Sequence, residues 1–277
     1  MAPPDPAYVV DPNDPRAPSE ETWARMSAEE RARVVGMLPN EVPLGIFQPE
    51  GDPHRTAKNR ALDALDTFFR KMGRRVYLSS DLAVYYPGEP MFSPDLLAVV
   101  DVDPHERMKW VVNAEGKGLD LVLEVHVGGD WAKDFEANVE RYARLRIPEY
   151  FLFDRRKRSL RGYRLESPGA RVYRPIVPQG GRWASEVLGL ELVLEGERLR
   201  FYAGNAPLLE ADELVVRLNA MVDELVEKHL AAEAAVAEER KRAEAEKERA
   251  DAAEAEKQRM AARLAEALAE LEKLKGR

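Results

Sequence analysis

The chain contains no cysteine. That absence excludes disulfides, thiolate nucleophiles and thiolate metal sites. Histidine is scarce as well, four in 277 residues, which leaves little from which to build a structural zinc site. No apolar run approaches the ~20 residues that cross a bilayer. The opening stretch, MAPPDPAYVVDPNDPRAPSEE, has proline and acid where a secretory signal has a basic region and an apolar one. A soluble, cytoplasmic protein with no membrane partner is the expectation. Positive charge is in deficit too, at a net -8, although phosphate binding normally rides on a basic surface. The deficit is spread evenly, since 13 of the 42 basic and 17 of the 50 acidic residues lie from Ala211 onward.

What is present reads as an ordered core between two unlike ends. Proline disfavours helix in itself and in its predecessor, so residues 1–20 read as a loosely packed lead. Ser27-Ala-Glu-Glu30 is a capping box that opens a short helix through Met37. Asp52-Pro53 starts a longer helix with apolar residues at Leu62, Leu65, Phe69 and Met72, stopped by Gly73. The period then changes to two over 76–86. Two continuous apolar strands follow, 95–101 and 121–127, then a helix over about 131–145 and a strand over 150–153. Helix, three strands, helix, strand predicts an α/β fold: a mixed sheet with a helix on each side. Residues 159–203 read as further antiparallel strands at its edge, turning at Pro178-Gln-Gly-Gly181. From about Asp212 to Leu274 a single long helix is predicted. Heptads from Val215 give a good seam at both ends (Val215, Leu218, Val222, Leu225; Leu264, Leu271) and a poor middle (Glu239, Glu246, Lys257). A solvated single helix held by i,i+4 ion pairs and a coiled coil with a second chain both remain open.

The chemistry concentrates on two strands. Asp95 follows a proline at the head of one, and Glu124 sits inside LVLEVHV in the other. A buried carboxylate needs a partner, an edge or a metal ion. If the two strands are neighbours, both acids can meet one divalent cation. Oxygen ligands of this kind suit Mg2+ or Mn2+, with water and phosphate oxygens completing the shell. His126 stands two residues past Glu124 and so shares its face; it either handles a proton or simply donates a hydrogen bond.

Pro94-Asp95 followed by Glu124-Val-His126 is similar to the signature of the PD-(D/E)XK nuclease superfamily. More narrowly, VYLSSDLAVYYPGEPMFSPDLLAVV (76–100), LDLVLEVHVGGDWAKDFEANVERYARLRIPEYFLFD (119–154) and SEVLGLEL (185–192) resemble the Uma-two family of restriction-endonuclease-like proteins. The resemblance covers most of 45–205 and implies a restriction-endonuclease-like core with a long C-terminal helix. It implies Asp95 and Glu124 as metal-binding, catalytic acids, Lys133 and Asp134 as a pair opening the following helix, and endonucleolytic hydrolysis of phosphodiester bonds in DNA. On that helix the family tends to carry a lysine four residues before a tyrosine. Here Asn138 precedes Tyr142, so a charge that would polarise the phosphate is missing.

Two outcomes follow from that departure. Either His126 and Asn138 serve as the polar catalytic groups, with Lys133, Asp134, Tyr142 and His54 lining the site, or the protein is a degenerate relative acting as a DNA-binding or coiled-coil scaffold. Tyr142 also fits simple core packing. Arg141, Arg144 and Arg146, together with Arg155 to Arg158 and Arg161, form the densest basic stretch, which suits phosphate contacts and a solvated hairpin tip equally. The expected organisation is a lead with a short helix over 1–44, the nuclease-like domain over 45–205, and a helix over 211–277 that pairs two copies into a homodimer.

Overall fold

The computed structural model describes residues 8–41, 51–128 and 132–275. The elements run in the order α1 (Glu20–Arg25), α2 (Ala28–Met37), α3 (Asp52–Met72), β1 (Val76–Ser79), β2 (Val84–Tyr85), β3 (Leu96–Val100), β4 (Trp110–Val111), α4 (Val112–Glu115) and β5 (Leu121–His126). They continue with α5 (Ala132–Arg144), β6 (Glu149–Asp154), β7 (Ser159–Leu165), β8 (Tyr173–Pro175), β9 (Arg182–Ser185), β10 (Leu190–Glu195), β11 (Arg198–Ala203), β12 (Ala206–Pro207) and α6 (Ala211–Lys275). Two compact units result, 1–211 and 212–277.

Local signals set several of these boundaries. The α2 capping box is complete, with Glu30 N donating to Ser27 Oγ and Ser27 N donating to the Glu30 carboxylate. α3 takes Gly51 as its N-cap and Pro53 in its first turn, and it ends on Gly73 at φ 67°, a left-handed position that suits glycine.

The six-stranded main sheet has the order β1-β3-β5-β6-β7-β8. β3 pairs antiparallel with β5, and β5 pairs parallel with β6, so α5 is the crossover between them. Both faces of this sheet are covered, which is why β3, β5 and β6 read as continuous apolar runs rather than alternating ones. Leu96, Ala98, Leu121, Leu123 and Phe151 pack toward α3 through Ala61, Leu65 and Phe69. On the opposite face Leu97, Val99, Val122, Tyr150 and Leu152 pack with Tyr142 and Ala143 of α5.

The predicted mixed sheet flanked by helices, followed by a long C-terminal helix, is the fold observed. Two expectations change in detail. Only β7 and β8 extend the main sheet; β9 to β12 form a separate four-stranded sheet whose Leu190, Leu192 and Phe201 close over α3. The two sheets are tied by the fully buried Glu149, whose carboxylate accepts from Arg164 Nε at 2.8 Å, Ser185 Oγ at 2.5 Å and Glu186 N at 2.8 Å. The lead is also not loose from residue 8 onward. Val10 and Ala17 are buried beside Tyr85 and Met91, and Gly88 N donates to Ala17 O at 2.9 Å.

At the end of the first unit, Glu210 is 3% exposed and has three guanidinium neighbours: Arg200 at 3.2 Å, Arg60 at 3.4 Å and Arg198 at 3.7 Å. α6 runs 65 residues from there. Among the described residues no helix is long and apolar enough to cross a membrane.

Gly162 in β7 lies under Phe151, and a Cβ there would stand 2.7 Å from Phe151 Cε1 and 3.2 Å from Ile176 Cδ1. Phe151 is fully enclosed and cannot yield cheaply. Gly162→Ala is therefore expected to lower unfolding stability by about 1–3 kcal/mol in urea titration.

Candidate functional site

The β3-β5 pairing decides the site. Leu96 lies opposite Leu123, so Asp95, one step before β3, comes level with Glu124. Asp95 N donates to Glu124 Oε2 at 3.3 Å, and Val125 N donates to Asp95 Oδ2 at 2.7 Å. Each carboxylate is thus held partly by the other's backbone strand. Antiparallel pairing, rather than side-chain choice alone, brings the two acids face to face.

α3 and α5 close on this pair from opposite sides. From the first turn of α3, His54 Nε2 reaches Asp95 Oδ2 at 3.0 Å, with both side chains largely enclosed at 13% and 16% exposure. From α5, Tyr142 OH donates to Glu124 Oε1 at 2.6 Å. Tyr142 is buried, and its ring sits 5.1 Å from Tyr150 and 5.6 Å from Phe92. Core packing and a hydrogen bond to the site are therefore the same fact about this residue.

Burial, then the Asp95 charge, push the Glu124 carboxyl well above the ordinary carboxylate range, and the Tyr142 hydroxyl opposes part of that rise. The same arrangement raises the Tyr142 phenol, through burial first and the Glu124 charge second. His126 ends β5 in register with Asp154 of β6. Its imidazole is held below its usual value by partial burial, with Lys157, Arg156 and His54 adding repulsion and Asp154 opposing them. At neutral pH the imidazole is therefore mainly uncharged.

Asn138 is partly buried one turn before Tyr142 on the same face of α5. The side chains of Lys133 and Asp134 lie outside the described residues, so those two expectations have no structural counterpart. Arg141 is not available as a phosphate contact: its guanidinium lies 4.5 Å over the Phe92 ring and donates to Pro90 O at 2.6 Å. Arg144 faces Glu89 at 3.3 Å. These arginines pin the loop between β2 and β3, since a half-buried guanidinium is best satisfied by an aromatic face and a carbonyl. The exposed Arg156 and Lys157, at the turn after β6, are the cations beside His126.

The sequence reading missed Lys58. It is 3% exposed on α3, one turn after His54, and its Nζ meets Asp81 Oδ2 at 2.5 Å. Asp81 N in turn donates to Pro94 O at 3.1 Å, next to Asp95. The signal was a lysine on the α3 face otherwise occupied by Ala61 and Leu65, where the apolar period leaves no reason for a charge.

Asp95 and Glu124 together have the chemistry of a hard-cation site. Two carboxylates pressed against each other in a partly buried place are relieved by a divalent ion, which takes oxygen ligands. Among the described residues no group of three or more His, Asp or Glu side chains is arranged to enclose a metal. A bound ion would therefore draw two ligands from Asp95 and Glu124 and the rest from water or substrate oxygens, which is how Mg2+ is commonly held.

The raised Glu124 has a stability consequence. Its folded-state value exceeds its unfolded one, so the folded state holds the extra proton. The favourable contribution is complete below the unfolded value of about 4.3 and is lost as pH rises through the folded value. In chelator, thermal melts of Glu124→Gln are expected to fall less than wild type between pH 5 and 8. Parallel pH slopes for the two proteins would contradict the assignment.

Residues 44–196, more than half of the chain, match the model of the family Uma2, described as "Putative restriction endonuclease". Among solved structures, the chain is similar to a crystal structure titled as a putative nuclease belonging to DUF820 from Anabaena variabilis ATCC 29413. The two are 15% identical, with a TM-score of 0.41, over 55% of this chain and 82% of the other. A search of the curated proteins finds no match. With its acids paired across β3 and β5 and its match spanning the whole main sheet, the chain belongs to the Uma2 family.

Proposed function

We propose that the protein is a divalent-metal-dependent endonuclease that hydrolyses phosphodiester bonds in DNA, with Mg2+ or Mn2+ held by Asp95 and Glu124, and that it works as a homodimer paired through α6. The observation that carries the reading is the contact of Asp95 with Glu124 in a partly buried position, each acid steadied by a second group. A bound cation supplies Lewis-acid polarisation of the phosphoryl group.

The chain's own groups account for the rest. His54 fixes the orientation of Asp95, and Tyr142 fixes that of Glu124, as outer groups do for metal ligands generally. His126, neutral at physiological pH, accepts a proton from the attacking water. Arg156 and Lys157 lie beside it and attract the phosphate backbone locally, which offsets the acidity of the whole chain. Asn138 offers the phosphate a hydrogen bond without charge.

The neutral Asn138 also favours a second reading, a nuclease fold without turnover that serves as a DNA-binding or coiled-coil scaffold. The two differ in metal binding and in cleavage. Plasmid DNA with Mg2+ is expected to be cut by wild type and left intact by Asp95→Ala; cleavage in chelator, or cleavage untouched by the substitution, removes the first reading. Tyr142→Phe keeps the ring packing and loses only the hydroxyl. It is expected to weaken Mn2+ binding about 10- to 100-fold by calorimetry. A wild type that takes up no ion with Glu124-dependent heat supports the scaffold.

A further inference from the structure

The α6 surface shows large apolar side chains with nothing over them. Leu218, Leu225, Met260, Leu264 and Leu271 are 52–66% exposed, and Val222 and Val236 are about half exposed. They fall on one seam, in two stretches separated by a charged middle. Exposed apolar surface of this extent marks a contact face.

The direction of a partner helix follows from the polar residues in that seam. If a second copy runs parallel and in register, Glu239, Glu246, Lys257 and His229 each face their own counterpart. If it runs antiparallel, the a positions of one helix face the d positions of the other, and one register matches everything. Leu218 then faces Leu271, and Leu225 faces Leu264. In the same register Glu239 faces Ala250, Glu246 faces Ala243, Lys257 faces Ala232 and His229 faces Met260. Every polar seam residue meets a small or flexible neighbour, over which a long side chain can reach solvent.

The flanking charges favour the parallel direction. There Lys228 meets Glu233 and Arg249 meets Glu254 of the second copy, whereas the antiparallel register sets Glu233 near Glu254 and Arg242 near Arg249. Such exposed pairs contribute little and are screened by salt. Burying like charges against each other at the seam costs far more, because each loses its water. The seam decides.

We infer that α6 binds a second copy of this chain antiparallel, with Leu225 opposite Leu264. This rests on the homodimer reading above and fixes its geometry. The two Ala211 ends then lie about 100 Å apart along the pair.

The natural absence of cysteine makes the test clean. Leu225→Cys and Leu264→Cys are made separately in the full chain and oxidised with copper-phenanthroline, alone and mixed. The expected result is a disulfide dimer only in the mixture, because two copies of residue 225 would be about 58 Å apart. Ala232→Cys with Lys257→Cys is a second pair that removes no apolar side chain, and it should behave the same way. Homotypic bonding of Leu225→Cys overturns the direction and leaves the dimer standing. A dimer by light scattering that forms neither mixed bond overturns the register. A monomeric mass for the wild type at micromolar concentration overturns both this inference and the homodimer.

Discussion

The antiparallel ladder between β3 and β5 is the constraint on which the rest of the molecule turns. It sets two carboxylates against each other, and in the absence of a counter-ion that arrangement is unfavourable. The surrounding core supports it: α3 supplies an imidazole to one acid and α5 a phenol to the other. Both helices are held by large apolar faces on opposite sides of one sheet. The two acids are thereby oriented by groups whose own positions are fixed by packing on both faces of the sheet.

Much of this was legible in the sequence because the signals were local or strongly periodic. The apolar runs 95–101 and 121–127 are long enough to read as central strands, and the carboxylates interrupting them are conspicuous for that reason. The capping box at Ser27 and the glycine at 73 fix helix ends by chemistry contained within a few residues. His54 was picked out from its place at the start of α3, and it does reach Asp95.

What the sequence did not reveal depends on contacts distant along the chain. β4 is two residues long and is drawn into a strand by pairing in parallel with β2. The separation of β9 to β12 from the main sheet has no local signature, since both groups alternate alike. The lead was expected to be loose because proline discourages helix, yet Ala17 and Val10 complete a small core under Tyr85 and Met91. Proline forbids particular backbones and leaves tertiary hydrogen bonding open. Arg141 shows the converse: a cation near a site was open to phosphate or to solvent, and a ring and a carbonyl claimed it first.

The clasp at Glu210 makes the junction before α6 tolerant in one direction and brittle in the other. Three guanidinium groups gather on one enclosed carboxylate, so replacing Arg60 or Arg198 still leaves the acid with company. Replacing the acid takes the shared carboxylate from all three cations at once, among them Arg200, itself 6% exposed. Drift in this region should therefore run freely through the outer arginines and stall at the glutamate, an asymmetry of permitted change built into the end of the first unit.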